Sequence, residues 1–171
     1  GIAESPDGRI WIGGSRLLFY DGLSWQESSI DELNQFVNVV ESTEDLLIVG
    51  SRFYGVFLFD GTSWTNYTMK DGLSSNTIIS IEAISDDNII VATENGICRF
   101  DGVNWAKDLF PEEYNLDFEG GSIIEGEENS IWINHVSRSW NLRAIYNKSG
   151  VKPDWEYHTT YYNGEISFPQ T

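Results

Sequence analysis

One cysteine, one methionine, four prolines and two histidines stand among the 171 residues, and 10 Lys plus Arg face 27 Asp plus Glu. A lone Cys98 forms no internal disulfide, and with only His135 and His158 beside it no zinc-ligand spacing exists, so no metal and no cofactor is expected. The shortage of basic residues leaves a net charge of −17 and a pI near 4.2. That balance excludes nucleic acid and anionic membrane surfaces as partners, because neutralising phosphates takes Lys and Arg. No apolar run approaches the length of a membrane span, and no basic segment leads into an apolar stretch at the N-terminus. Any signal peptide or membrane helix is expected outside these residues. The opening Gly1-Ile2-Ala3-Glu4 reads as the middle of a strand, as in a piece of a longer chain. What is plentiful is apolar and aromatic: 40% and 14%, with seven Trp. Disorder is excluded, and the length suits one domain.

Internal repetition organises the chain. FYDGLSW (19–25), LFDGTSW (58–64) and RFDGVNW (99–105) align without gaps, and Asp21, Asp60 and Asp101 are 39 and 41 residues apart. A weaker fourth copy begins at Ala144-Ile145-Tyr146-Asn147, with Asn147 in place of the Asp, and reaches Trp155 after an insertion. Before each copy lies a short apolar run: Ile10-Trp11-Ile12, Leu46-Leu47-Ile48-Val49, Ile89-Ile90-Val91-Ala92 and Ile131-Trp132-Ile133. Such runs, bounded by turn residues, read as strands buried on both faces. Each follows a turn cluster (Ser5–Gly8, Ser42–Asp45, Ser85–Asn88, Gly126–Asn129) and an earlier strand such as Phe36-Val37-Asn38-Val39-Val40. The unit is strand, acidic turn, strand, loop, strand, Asp-Gly turn, Trp-bearing strand. Four antiparallel strands repeated about every 40 residues predict an all-β chain of β-propeller blades, at roughly 1–28, 36–68, 77–109 and 121–159. Residues 160–171 are expected to form a closing strand or to start a further blade. A single β-propeller, partial and belonging to a larger one, is the predicted domain organisation.

The units DGRIWIGG with LFYDG (7–14, 18–22), DNIIVATENGICRFDG (87–102) and DGLSSNTI (71–78) resemble the two-component regulator propeller repeat. The resemblance covers residues 2–109 well and 122–157 loosely. It implies the periplasmic sensor region of a hybrid two-component histidine kinase of the Bacteroidetes type, many of which control polysaccharide-use loci. The kinase would lie elsewhere in the full-length protein.

Small ligands of propellers usually bind where loops of several blades converge. Of the six Arg, Arg16, Arg52, Arg138 and Arg143 are predicted in loops between second and third strands, in company with Phe53, Tyr54, His135 and Trp140. Aromatic faces stack on sugar rings and forked guanidinium groups hold carboxylate or sulfate, so an oligosaccharide is the expected ligand. A glutamate recurs at the end of first strands, as Glu4, Glu41 and Glu125, with Ile84 in the third unit. One carboxylate per blade is not the converging pair a glycosidase requires. Asp86-Asp87, Glu112-Glu113 and Glu127-Glu128 read as solvated charge. No phosphate loop and no nucleophile beside a base occurs, so no catalytic residue is assigned. The expectation is a non-catalytic sensing propeller, periplasmic, with homo-oligomeric contacts through its terminal blades. The alternatives are a propeller glycosidase or lyase, and a protein-interaction scaffold.

Overall fold

The computed structural model describes residues 1–107 and the strands Gly121–Glu125, Ile131–Val136, Leu142–Asn147 and Trp155–Thr159. The described strands form four antiparallel sheets of four. Blade 1 contains β1 (Ile2–Glu4), β2 (Ile10–Gly13), β3 (Leu17–Tyr20) and β4 (Trp25–Glu27). Blade 2 contains β5 (Val37–Ser42), β6 (Leu47–Ser51), β7 (Val56–Phe59) and β8 (Trp64–Tyr67). Blade 3 contains β9 (Ile78–Ser85), β10 (Asn88–Thr93), β11 (Gly96–Phe100) and β12 (Trp105–Lys107). Blade 4 contains β13 to β16, the four strands beyond residue 120 named above. Within every sheet the strands follow chain order, as the repeat predicts. Among the described residues the only helical segments are two short 3-10 turns, Asp31–Asn34 and Met69–Asp71.

Alternation along the strands builds the stack. In β6, Leu47 and Val49 join Phe57, Phe59 and Val40 against Trp11 and Leu17 of blade 1. Ile48, one residue out of phase, joins Val56 and Leu58 against Ile81, Ile89, Val91 and Phe100 of blade 3. A strand covered on both sides reads as a continuous apolar run because both phases of its two-residue period are buried. Each such Leu, Ile or Phe contributes roughly 1.5–3 kcal/mol by leaving water. The first strands adjoin across blades: the Asn38 side-chain amide donates to Ile78 O at 2.7 Å, and the Ser80 hydroxyl accepts from Ile123 N at 3.2 Å.

The Asp-Gly motif works through both residues. Asp21, Asp60 and Asp101 each accept from the backbone N–H groups two and three positions on, at 2.7–3.0 Å. The glycines that follow have φ of 95°, 88° and 90°, the left-handed region a side chain disfavours. Each turn then delivers a Trp to the head of the fourth strand, where Trp25, Trp64 and Trp105 pair with Tyr20, Phe59 and Phe100.

Two registers correct the sequence alignment. Asn147 pairs with Ile131 and Trp155, as Tyr20 pairs with Ile10 and Trp25; it therefore holds the aromatic position within the strand and not the Asp position of the turn. The recurrent glutamates also regroup. Glu41 and Glu82 lie opposite Ile48 and Ile90, whereas Glu4 and Glu125 lie opposite Ile10 and Ile131, one residue out of phase. A shift of one residue sends a side chain to the other face of its sheet.

Candidate ligand-binding face

Loops joining second to third strands, and linkers entering the next blade, share one end of the stack. A series of backbone hydrogen bonds ties them together. Phe36 N and Val37 N donate to Ser15 O and Gly14 O, and Arg52 N donates to Phe36 O. Gly55 N donates to Asn76 O, and Glu94 N to Thr77 O. The two described linkers, into blades 2 and 3, are thus each fastened to loops of the blades on either side.

An aromatic cluster sits at the blade 1 to blade 2 crossing. Phe36 and Phe53 are both half exposed, with ring centroids 6.1 Å apart and planes at 88°. Tyr54 stands 6.4 Å from Phe53, again nearly perpendicular, and is half-buried over the core. The Arg52 guanidinium lies 5.7 Å from the Phe53 ring centroid. The Ser51 hydroxyl accepts from both Phe53 N and Tyr54 N at 3.2 Å, fixing the loop that carries them. Phe36 has φ of +51°, the only left-handed residue other than glycine among the described residues. That conformation costs a side-chain-bearing residue roughly 1–2 kcal/mol, and the bonds to Ser15 and Arg52 hold it.

Of the residues predicted for the site, the structure brings Arg52, Phe53 and Tyr54 together. Arg16 occupies the corresponding loop of blade 1, but its guanidinium is engaged in an exposed ion pair with Glu27 on the outermost strand. His135 and Arg143 were expected in a loop. They belong to β14 and β15, where they face each other in the ladder. Arg138 and Trp140 lie outside the described residues, as does the expected closing segment 160–171. Phe36 escaped the sequence reading because it was assigned to the first strand of blade 2. That strand begins at Val37, and the apolar run carries no mark of where its backbone turns left-handed.

The opposite end carries the acidic turns. Between blades 2 and 3 it opens into a cavity of about 590 Å³, floored by Leu46, Leu58, Tyr67 and Phe100 and rimmed by Asp45, Asp60, Asp86 and Asp87. Asp86 accepts from the Thr43 hydroxyl and from Asp45 N, so part of this charge pins one blade to the next. Backbone hydrogen bonds hold the Asp21, Asp60 and Asp101 carboxyls below the usual carboxylate range. Along the inner strands, burial pushes the Glu41 carboxyl up, and the nearby Glu82 charge adds to the effect. Among the described residues no three metal-ligating side chains cluster, and no helix is long and apolar enough to cross a membrane.

No family model matches the chain, and no curated protein matches it in sequence. Solved structures do match. Over 91% of its length the chain is similar to the extracellular domain of the hybrid two-component system BT3049 of B. thetaiotaomicron, with TM-score 0.70, 16% identity and 22% of that chain covered. Similarity to the extracellular domain of the hybrid two-component system BT4673 of the same organism covers 95% of this chain and 28% of that one, with TM-score 0.57 and 19% identity. Virginiamycin B lyase of Staphylococcus aureus matches over 92% of this chain and 54% of its own, with TM-score 0.68 and 16% identity. The chain spans little more than half of the lyase and under a third of the two sensor domains. At these identities, what it shares with all three is the fold: blades of a β-propeller.

Proposed function

We propose that the chain is a non-catalytic, extracytoplasmic ligand-sensing propeller segment of a two-component sensor, and that it takes an anionic carbohydrate at the face built by Phe36, Arg52, Phe53 and Tyr54. The observation that carries this reading is the half-exposed Phe36–Phe53 pair beside the Arg52 guanidinium. Perpendicular aromatic faces suit stacking against the apolar face of a sugar ring, and a guanidinium at their edge suits its carboxylate or sulfate. The left-handed Phe36 supports it, since such strain gathers at binding sites that the surrounding structure over-determines. The likeness to extracellular sensor domains supports the sensing role. A ligand bridging the linker into blade 2 and the loop between that blade's second and third strands would favour one arrangement of the two, which is the differential affinity that signalling requires.

Titration calorimetry with uronic-acid and sulfated oligosaccharides, alongside their neutral counterparts, tests the proposal. The acidic sugars are expected to bind and the neutral ones to bind at least about tenfold more weakly, the scale of one charge-assisted hydrogen bond. Phe53→Ala and Arg52→Ala should each weaken binding similarly. Equal binding of neutral and acidic sugars, or binding untouched by either substitution, sinks the assignment.

A further inference from the structure

Successive blades meet through equivalent positions, and the junction of blades 1 and 2 is filled by rings. Trp11 pairs with Phe19, and its indole packs 6.0 Å from Phe59 and 5.4 Å from Trp64. Two residues before Trp11, Arg9 sets its guanidinium 5.1 Å from the Phe19 ring centroid and pairs with Asp7 at 3.3 Å. A cation on an aromatic face, beside a carboxylate, thus sits at the acidic end of this junction.

The junction of blades 2 and 3 lacks these groups. Ile48 pairs with Leu58 as Trp11 pairs with Phe19, and Leu46, two residues before Ile48, stands where Arg9 does. Across the junction Phe100 and Trp105 repeat Phe59 and Trp64. Smaller aliphatic side chains therefore replace two rings, and no cation follows them. Tyr67 takes part of the room, its ring 5.6 Å from Phe100. The rest is the cavity of about 590 Å³, within the size range of small-molecule sites. Among the described residues that line it there is no Lys, Arg or His. Two of its rim carboxylates are fixed in advance: Asp60 accepts from Thr62 N at 2.8 Å and Ser63 N at 2.7 Å, and Asp86 accepts from the Thr43 hydroxyl and Asp45 N.

We infer that this cavity binds a small organic cation, an ammonium or guanidinium on an apolar body, which supplies from solution what Arg9 supplies from within the chain one junction earlier. The body lies on Leu58, Tyr67 and Phe100, and the charged head stands among Asp45, Asp60 and Asp87. A cleft with apolar walls and charge of one sign at its rim concentrates such a ligand. A bare metal ion does not suit the same place, since among the described residues no three metal-ligating side chains cluster. The site lies at the opposite end of the stack from Arg52 and takes the opposite charge, so it stands independently of the carbohydrate reading.

Titration calorimetry of the 171-residue chain with phenethylamine, 2-phenylethanol and calcium chloride tests the inference. Phenethylamine is expected to bind with a dissociation constant below about 1 mM. The alcohol, the same body without the charge, should bind at least about tenfold more weakly, and calcium should give no heat of binding. Leu46→Arg places in blade 2 the cation that blade 1 carries, and should weaken phenethylamine binding at least about tenfold by occupying the rim from within. Asp45→Asn removes one rim charge and should weaken it at least about threefold. No binding of the amine, equal binding of amine and alcohol, calcium binding in place of the amine, or affinity unchanged in either variant overturns the inference. Should Leu46→Arg fail to fold, Asp45→Asn decides alone: weakened binding supports the inference and unchanged binding refutes it.

Discussion

The Trp11 indole stands edge-on to Trp64 across the junction of the first two blades, with ring centroids 5.4 Å apart and planes at 80°. Its Nε1 donates to the Ser5 hydroxyl at 2.8 Å, so the one polar atom on a buried ring is satisfied by the turn that opens its own blade. Sheet, turn and neighbouring blade thus meet at a single side chain.

Replacing that side chain separates junction packing from surface packing. Trp11→Ala should cost about 3–5 kcal/mol, the usual range for a buried Trp, because blades 1 and 2 lose their shared filler. Trp25→Ala, on the half-exposed equivalent of a fourth-strand Trp, should cost under about 1 kcal/mol. Urea unfolding at low protein concentration measures both, and comparable losses would show that blade 1 draws its stability from elsewhere.

Acid should unfold the protein partly through its Asp-Gly turns. Asp21, Asp60 and Asp101 titrate below their ordinary value because backbone N–H groups bind their ionised form. A lowered folded-state pKa gives stability that is present above the unfolded value, about 4, and is lost as the pH falls through the folded one. Combined replacement of the three by Asn should lower stability at pH 7 and flatten its decline below pH 4. An unchanged acid limb in thermal melts recorded between pH 2 and 7 would remove these turns from the account.

The fold was legible because propellers repeat their burial. Apolar runs such as Leu47-Ile48-Val49 and the evenly spaced Asp-Gly-to-Trp segments announce both the two-sided strands and the tight turns. The site was legible only as far as residue type goes. Arg52, Phe53 and Tyr54 are conspicuous in an acidic chain, but Phe36 is a hydrophobe beside a strand, and only its left-handed backbone sets it apart. Phase was the weakest signal. Grouping Glu41 with Glu4 matched residue type at strand ends, whereas pairing joins Glu41 to Glu82, and a one-residue slip leaves composition unchanged while reversing the face.

The linker between blades 2 and 3 makes a sharper test of backbone geometry. Thr68 and Asp71 close a reciprocal cap on its short turn, and Gly72 follows with φ of 111°. A Cβ on Gly72 would lie 2.2 Å from Trp105 O, a backbone atom of the outermost strand of blade 3. Gly72→Ala therefore meets both a disfavoured φ and a rigid neighbour, and should destabilise by more than about 1 kcal/mol. Hydrogen exchange should show the loss as early opening of Trp105–Lys107. A neutral substitution would mean that the linker moves without cost.

Glu41 should respond to pH in the opposite sense to the turn aspartates. Burial, then the Glu82 charge, raises its carboxyl pKa. A raised carboxyl pKa means the folded state holds the proton more tightly than the unfolded one. The ionised form is thus a cost, fully present above the folded pKa and gone below the unfolded value of about 4.3. Glu41→Gln should stabilise the protein at pH 8 and lose that advantage near pH 4. The gain should stay below roughly 1 kcal/mol, because the side chain keeps substantial contact with water, which screens its charge. Thermal melts of the two proteins across that range check the sign: a gain that grows toward pH 4 would place Glu41 in a stabilising ionised contact instead.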